Sequence, residues 1–276
     1  ANQLAHEADL VIAVGTRLAD FTTMSKTAFA NPDVRFVGIN VNEFDAFKHA
    51  AIPVVADACV ALDELSAMLA GFSTTAEYRS TLDARRAAWR AEVDGIYGAR
   101  SAVPFAQAEI IGVVNGFVQP EDVVVCAAGS LPGDLHKLWR ARQPNTYHLE
   151  YGYSCMGYEI AGGLGVKMAD PERDVYVMVG DGSYLMMAQE IVTSIQEDYK
   201  LIVLLLDSEG FASIGGLSRS VGSGGFGTHY RYRNERTGAL DGDRLPVDLA
   251  ANAASLGAVV HRATDRGAIA ALRPGR

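Results

Sequence analysis

Two short apolar runs constrain the fold of this chain more than any other feature. The runs "VYVMVG" (175–180) and "LIVLLL" (201–206) consist of strand-forming residues with no polar–apolar alternation. Such strands are buried on both faces, which is typical of parallel sheets covered by helices on each side. The segment "LMMAQEIVTSIQ" between them has helical spacing. The sequence therefore predicts two neighbouring parallel strands joined by a crossover helix.

The same pattern recurs along the chain of 276 residues, a length that suits one large or two ordinary domains. We predict strands at 9–18, 34–42 and 52–58, about half of a doubly wound domain within residues 1–72. A charged helical linker is predicted over 73–103. A second α/β region, at 104–276, has further strands at 122–130 and 258–264 and a glycine- and alanine-rich helix at 155–169.

Composition narrows the function classes. The net charge of −9 argues against a nucleic-acid binder, because phosphate contacts need a basic face. No apolar run reaches the ~18 residues of a membrane helix, so we expect no membrane partner. The three cysteines Cys59, Cys126 and Cys155 include no CxxC pair and predict neither a disulfide framework nor a zinc site. We expect them to be small buried residues of a cytoplasmic protein.

The two central strands end in polar residues that suit a metal ion. Asp181 follows the first strand, and Ser208 and Gly210 follow the second, 27 residues or more along the chain. One helix and one strand fill that spacing, so the two strand ends lie side by side. A carboxylate, a hydroxyl and a backbone carbonyl are the hard oxygen ligands that Mg²⁺ prefers. The alternative is an ordinary turn in which Asp181 caps a helix.

Glycine residues at the first strand end suit a phosphate group. Gly180 and Gly182 let phosphate oxygens approach the backbone, and a helix beginning near Ser183 points its N-terminus at them. Together with the metal ligands, these residues predict a metal–diphosphate site at the carboxyl edge of a parallel sheet.

The motif of Gly-Asp-Gly followed by a polar pair and glycine resembles the cofactor motif of thiamine-diphosphate-dependent enzymes. The resemblance implies a partial Rossmann-like middle domain followed by a doubly wound parallel-sheet domain that binds thiamine diphosphate and Mg²⁺. It implies three metal ligands, with Ser208 in place of the usual asparagine. The ligands are Asp181, Ser208 and the Gly210 carbonyl, and Phe211 lies beside them among the cofactor-binding residues.

Two other segments resemble the same family. In "YSCMGYEIAGG", Met156 would support the bent thiamine and the Ser154 carbonyl would accept a hydrogen bond from its aminopyrimidine. The turn "AAGS" resembles the family's other diphosphate-contacting turn, which implies contacts from Gly129 and Ser130. The first region, residues 1–72, contains no GxGxxG, so we expect no dinucleotide there.

Residues 147–169 and 210–258 further resemble the ring-opening hydrolases of this family, which convert a trihydroxycyclohexane-1,2-dione to 5-deoxyglucuronate in myo-inositol breakdown. The resemblance implies a hydrolase acting on a carbon–carbon bond of a small cyclic polyol dione. Residues 216–227 are a candidate lid over the site. The candidate substrate contacts are polar residues of both segments: His148, Glu150, Tyr151, His229, Arg231 and Arg233.

The family's activating glutamate is supplied by an N-terminal pyrimidine-binding domain of a partner subunit. The chain begins inside the middle domain, so we expect a fragment that lacks this glutamate, ends early and is inactive alone. Glu150 and Glu159 lie in the diphosphate-binding half and are not substitutes for it. The full-length protein is expected to be a homodimer or homotetramer.

Three alternatives remain open at this point. One is an acetolactate-synthase-like carboligase, which shares the Gly-Asp-Gly and Met156 motifs. Another is a non-catalytic module that keeps the fold without the cofactor. The third is a general Mg²⁺-dependent phosphate binder, which would bind nucleoside diphosphates as well as thiamine diphosphate.

Overall fold

The computed structural model describes residues 2–99 and 105–272 of the chain. The chain divides into two compact units, residues 1–82 and 83–276. A long helix, α4 (Ala76–Gly98), occupies most of the predicted linker. Residues 100–103 at the end of that linker lie outside the described residues.

The first unit is built on a three-stranded parallel sheet. Its strands are β1 (Leu10–Val14), β2 (Arg35–Asn40) and β3 (Ile52–Val55), in the order β1-β2-β3. Its α-helices are α1 (Asn2–Glu7), α2 (Glu43–Ala46) and α3 (Ala58–Met68), with a 3-10 turn at Lys48–Ala50. The carboxylate of Asp57 caps α3 by accepting two amide hydrogen bonds.

The second unit contains a four-stranded parallel sheet. Its strands are β4 (Val123–Cys126), β5 (Tyr147–Leu149), β6 (Val175–Gly180) and β7 (Ile202–Leu206), in the order β5-β4-β6-β7. Its further helices are α5 (Gln107–Phe117), α6 (Ser130–Leu138), α7 (Tyr158–Ala169), α8 (Asp181–Met186), α9 (Glu190–Gln196), α10 (Ala212–Ser220), α11 (Leu249–Ser255) and α12 (Arg266–Ala271).

Helices cover both faces of this second sheet. Val124 and Met178 point to one face and pack with residues of α5 and α6. Val125 and Val177 point to the other face and pack with residues of α7, α8 and α9. Burial on both faces explains the unbroken apolar runs, and the predicted α/β class with parallel sheets is confirmed.

The glycine-rich helix α7 lies directly against the sheet. A Cβ atom added at Gly163 would lie 2.3 Å from a Val177 methyl group, so a side chain there would push α7 away from β6. The sequence predicts that something approaches this helix closely, and that neighbour is strand β6 itself.

Three predicted elements differ in the structure. The single helix predicted after β6 is divided into α8 and α9, because Met187 leaves the helical region (φ −150°, ψ 56°). The break places Met186 and Met187 against Gly157. The glycine-rich loop predicted from residue 216 is partly helical, since α10 extends to Ser220.

The strand predicted at 258–264 pairs with no strand of the described chain. Val259 is 86% exposed there. An apolar pattern favours a strand only where a hydrogen-bonding neighbour is available, and this segment has none among the residues described.

The expected burial of the cysteines is correct only for Cys126. Cys59 and Cys155 are exposed, and all three thiols are free. Cys59 lies in the first turn of the helix capped by Asp57, and Cys155 in an exposed turn before α7. Across residues 2–99 and 105–272, none of the helices has the length and apolar character needed to cross a membrane.

Candidate functional site

The sheet order of the second unit defines where a ligand can bind. β5 lies on one side of β4, whereas β6 and then β7 lie on the other, so the order reverses between β4 and β6. Ligands of open α/β sheets bind outside the carboxyl ends of the strands at this reversal. The residues after β4 include Gly129 and Ser130, and those ending and following β6 are Gly180 and Asp181. The motifs identified in the sequence therefore lie at the expected edge.

The oxygen atoms of the predicted metal ligands converge. The Ser208 hydroxyl donates to Asp181 Oδ1 at 3.0 Å and lies 3.3 Å from the Gly210 carbonyl oxygen. Neighbouring ligands of an octahedral Mg²⁺ ion, each at about 2.1 Å, lie about 3 Å apart. The distances from the Ser208 hydroxyl to the other two oxygens are thus those of adjacent ligands around one small cation.

Burial makes Asp181 an unusual carboxyl. It is 1% exposed, and this burial raises its pKa above the ordinary range, a shift that Asp207 increases. The Gly210 amide donates to its Oδ2 at 2.7 Å and, with the Ser208 hydroxyl, partly offsets the shift. A cation at this position would supply the positive charge that stabilises the ionised form of the buried carboxyl.

The donor set has a particular chemical character. Over the described ranges, no three His, Cys, Asp or Glu residues are grouped so that they could hold a metal. One carboxylate, one hydroxyl and one carbonyl leave other coordination positions open. This composition fits Mg²⁺ shared with phosphate oxygens better than a cage made entirely by the protein.

A late segment of the chain closes on the candidate metal ligands. The Phe211 amide donates to the Thr228 carbonyl at 2.9 Å, and the Tyr230 amide donates to the Glu209 carbonyl at 3.4 Å. Gly210 has φ +149°, and a Cβ there would lie 2.2 Å from the Thr228 oxygen. No local sequence signal joins residues 208–211 to 228–230, so the sequence analysis missed this contact.

Tyr230 is a second residue of the site that the sequence analysis missed. Its hydroxyl is buried and faces the Asp181 carboxyl. Burial and then the negative charge of Asp181 raise its pKa to about 12, so the phenol stays protonated. The ring packs edge-on against Phe211.

Met156, Gly182 and Phe211 are brought together by the fold. A Cβ added at Gly182 would lie 2.8 Å from the Phe211 ring and 3.4 Å from the Met156 methyl group. The glycine therefore lets two large apolar side chains approach the turn after β6. This cluster joins the turn before α7 to both strand ends.

Glu150 shapes the turn that precedes Met156. Its carboxylate accepts from the Tyr153 amide at 2.9 Å and from the Cys155 amide at 2.7 Å. These two hydrogen bonds lower its pKa. Ser154 within the turn has φ +57°, a strained value for a residue with a side chain. Glu150 is thus engaged by amides of its own turn.

Open space lies beside two of the predicted glycines. Gly129 has φ +110°, and neither there nor at Gly180 would an added Cβ meet a protein atom within 4 Å. Ser130 begins helix α6, whose free amides are a suitable environment for an anion. Ser183 is buried at 3% exposure, in α8.

The other candidate substrate contacts separate into two groups. His229 forms an isolated bridge with Gly210 and so lies beside the metal site. In contrast, Arg231 donates to the Gly242 carbonyl and Arg233 to the Gly238 carbonyl, so both stabilise their own loop.

The remaining two candidates contact aromatic neighbours. His148 lies 2.7 Å from the Tyr158 hydroxyl, and the Tyr151 ring packs against His136.

The proposed lid differs from a free loop. Its first part belongs to α10, and the Thr228 hydroxyl donates to the Gly225 carbonyl at 2.6 Å. A Cβ at Gly215 would lie 3.0 Å from the Thr228 hydroxyl. Small residues that suggest flexibility in the sequence here permit close packing instead.

Comparison with protein families gives two matches. Residues 127–273 match the C-terminal TPP binding domain of thiamine pyrophosphate enzymes, and residues 1–65 match their central domain. These ranges contain the four-stranded and three-stranded sheets respectively, except for β4 (Val123–Cys126).

Individual relatives are identical to this chain at more than two fifths of the aligned residues. A 3D-(3,5/4)-trihydroxycyclohexane-1,2-dione hydrolase 2 of Bacillus cereus is 44% identical over 96% of this chain and 45% of its own length. A 3D-(3,5/4)-trihydroxycyclohexane-1,2-dione hydrolase of Bacillus thuringiensis is 44% identical over the same shares. One from Bacillus anthracis is 43% identical. The chain thus spans about half the length of these relatives.

Proposed function

The chain belongs to the thiamine pyrophosphate enzyme family, and from this premise we propose that it binds thiamine diphosphate through Mg²⁺ at the edge between β4 and β6. The proposed metal ligands are Asp181, Ser208 and the Gly210 carbonyl. The proposed cofactor contacts are Gly129, Ser130, Ser154, Met156, Gly180, Gly182, Ser183 and Phe211. The observation that carries this proposal is the convergence of three oxygens around Ser208 Oγ.

The residues present fit the cofactor in chemical terms. Gly129 and Gly180 leave room beside the backbone for phosphate oxygens. Met156 and Phe211 supply an apolar surface next to Gly182 for the thiamine. When bound, thiamine diphosphate supplies a stabilised carbanion and an electron sink for breaking a bond next to a carbonyl. The protein residues would orient the cofactor, and Mg²⁺ held by them would offset the charge of its diphosphate.

A titration of thiamine diphosphate into the chain, with and without Mg²⁺, tests this proposal. We expect Mg²⁺-dependent heat of binding for the wild type and a loss of about 100-fold or more in affinity for Asp181→Ala, because a buried metal ligand is removed. Glu197→Ala is the control, since it removes an exposed carboxylate that precedes β7, at the other end of that strand. Equal affinity of the two variants would contradict the proposed site, as would equal binding of a nucleoside diphosphate.

For the full-length protein, we propose hydrolytic ring opening of 3D-(3,5/4)-trihydroxycyclohexane-1,2-dione in myo-inositol catabolism. The relatives carrying that name align with nearly the whole chain. The backbone bridge between His229 and Gly210 supports His229 as a candidate hydrogen-bonding residue for a polyhydroxylated ring. Full-length protein should consume the dione and leave pyruvate unchanged. Condensation of pyruvate would favour the carboligase alternative.

We further propose the domain boundaries 1–72, 73–103 and 104–276, with the activating glutamate supplied by a partner subunit of a homodimer or homotetramer. Apolar side chains of α8 and α10 remain about half exposed near the site and support an intersubunit surface, among them Met186, Ile214 and Leu217. The molar mass of the full-length protein in solution, measured by light scattering, tests the assembly. The free thiols support a cytoplasmic location.

A further inference from the structure

Glu159 is a buried acidic residue to which the proposed cofactor site assigns no function. It lies in the first turn of α7 and is 1% exposed. Its Oε2 accepts from the Gly157 amide at 3.0 Å. Its Oε1 is buried as well and has no hydrogen-bonding partner in the structure. A carboxyl group in this environment needs a reason to be there, because an apolar side chain of similar size would avoid the desolvation cost.

The surroundings of the carboxyl group suggest that reason. Gly157 belongs to the turn before α7, which carries Met156. The hydroxyl of Ser183, on α8, and the backbone amide of Ala128, in the turn after β4, also face the Glu159 carboxyl. Ala128 and Ser183 are each one residue from a proposed cofactor-binding glycine, Gly129 and Gly182 respectively. One side chain therefore faces all three segments around the proposed cofactor site.

The backbone hydrogen bonds of helices and sheets do not connect these three segments to one another. The three segments follow β4, precede α7 and follow β6, so no ladder of backbone hydrogen bonds joins them. The two segments that follow strands are connected to the sheet only at their beginnings. A polar group in the middle can set their spacing, which the diphosphate of a bound cofactor would require to within a fraction of an ångström.

We propose that Glu159 is a positioning residue that ties together the turn before α7, the turn after β4 and the start of α8, and so holds the cofactor site in its binding shape. Its carboxyl group accepts a hydrogen bond from the Gly157 amide, has the Ser183 hydroxyl and the Ala128 amide as polar neighbours, and does not contact the cofactor. The identity of the bound cofactor rests on the proposed function. The tie between the three segments does not, because it is a property of the ligand-free chain.

Two variants test whether the Glu159 side chain acts through its oxygen atoms or only by filling space. Glu159→Gln keeps an acceptor for the Gly157 amide and the side-chain length. Glu159→Met keeps the approximate volume but removes both oxygens. The control is Glu109→Met, because Glu109 is also buried (3% exposed) and also lies in the first turn of a helix, α5.

Hydrogen–deuterium exchange of the ligand-free proteins tests the tie directly. We expect Glu159→Met to speed exchange about tenfold or more in peptides covering 127–130, 154–158 and 181–184, because the Gly157 amide loses its acceptor. Glu159→Gln should exchange close to the wild type at Gly157. Glu109→Met should leave the three segments unchanged. Wild-type exchange in all three segments of Glu159→Met would overturn the proposal.

Titration of thiamine diphosphate and Mg²⁺ into the same proteins tests the consequence for binding. We expect about tenfold weaker binding for Glu159→Met, and affinity near that of the wild type for Glu159→Gln and Glu109→Met. Equal affinity of Glu159→Met and the wild type would refute the positioning role. If the wild type binds no thiamine diphosphate, the proposed function of the chain fails. The exchange experiment still decides whether Glu159 ties the three segments.

Discussion

The two sheets of this protein share parallel topology but differ in how they are covered. In the three-stranded sheet, Leu10 and Ile12 of β1 are 46% and 47% exposed, while Ala13 next to Ile12 is buried. In the four-stranded sheet, every residue of β4 is buried, as are the first five residues of β6. Apolar strands are therefore present in both units, but only the second sheet is buried on both faces among the described residues.

This difference determines what the polar residues at the strand ends can do. At the end of β2, Asn40 is a neutral amide that donates to the Thr16 carbonyl, after β1, at 3.2 Å and accepts from the Asn42 amide at 2.9 Å. At the end of β6, Asp181 is buried and contacts a segment 29 residues away, at Gly210. Both contacts join the ends of adjacent parallel strands, but the order reverses between β4 and β6 in the second unit, whereas the simple order β1-β2-β3 has no such reversal.

The largest contrast is expected for glycines that follow strands in the two units. Gly210→Ala should destabilise the second unit by more than about 3 kcal/mol, because the backbone conformation is strained and the Thr228 carbonyl lies 2.2 Å from the new Cβ. Gly15→Ala, at φ +62° with no atom within 4 Å, should cost only about 1 kcal/mol. Urea unfolding of the two variants measures both. Similar losses of stability would contradict the difference between the strand ends.

The next contrast concerns the strands themselves. Val177→Ala in β6 should lower the free energy of unfolding by about 2–3 kcal/mol, because Val177 is fully buried against Gly163 and leaves a cavity. Ile12→Ala in β1 should cost less than about 1 kcal/mol, since Ile12 is already 47% exposed. Denaturant titrations with matched protein concentrations test this pair. A larger effect at Ile12 would show that the exposed face of β1 is covered in solution.

Replacing a polar residue at a strand end should weaken cofactor binding in the second unit but lower stability in the first. Ser208→Ala should weaken Mg²⁺-dependent cofactor binding about tenfold, with little effect on unfolding, because it removes one oxygen of the converging set. Asn40→Ala should cost about 1–3 kcal/mol of stability and leave cofactor affinity unchanged. Calorimetric binding and thermal unfolding of both variants measure the two quantities. Weakened binding by Asn40→Ala would contradict the distinction.

The smallest effects are expected from titration within the second unit. Burial raises the pKa of Glu159 in the folded chain, so the wild type loses stability relative to Glu159→Gln as the pH rises above about 4, the unfolded value for glutamate. Hydrogen bonds lower the pKa of Glu150, so the wild type loses stability relative to Glu150→Gln as the pH falls below about 4. Thermal unfolding across this pH range should give slopes of opposite sign. Slopes of the same sign would be inconsistent with the two environments.

The sequence predicted the strands well because a strand buried on both faces is an unbroken run of apolar residues, which can be recognised locally. The apolar runs at β6 and β7 exclude amphipathic alternatives, and their spacing predicts a helical crossover, which the structure divides into α8 and α9. The prediction failed where the deciding partner was remote. The strand expected at 258–264 lacks a neighbour among the described residues, and the glycine-rich segment after residue 216 begins within α10 because Gly215 packs closely against Thr228.

By itself, the sequence determined the α/β class, the family resemblance and the residue types offered at each strand end. Only the tertiary structure decided that Thr228 and Tyr230 close on the turn of Gly210, that Glu150 is used by its own loop, and that the carboxyl of Glu159 faces three segments. The physical reason is the distance along the chain over which each effect acts. Periodicity and turn residues act over a few positions and are written in the sequence, whereas burial of a polar group depends on which distant atoms fold around it.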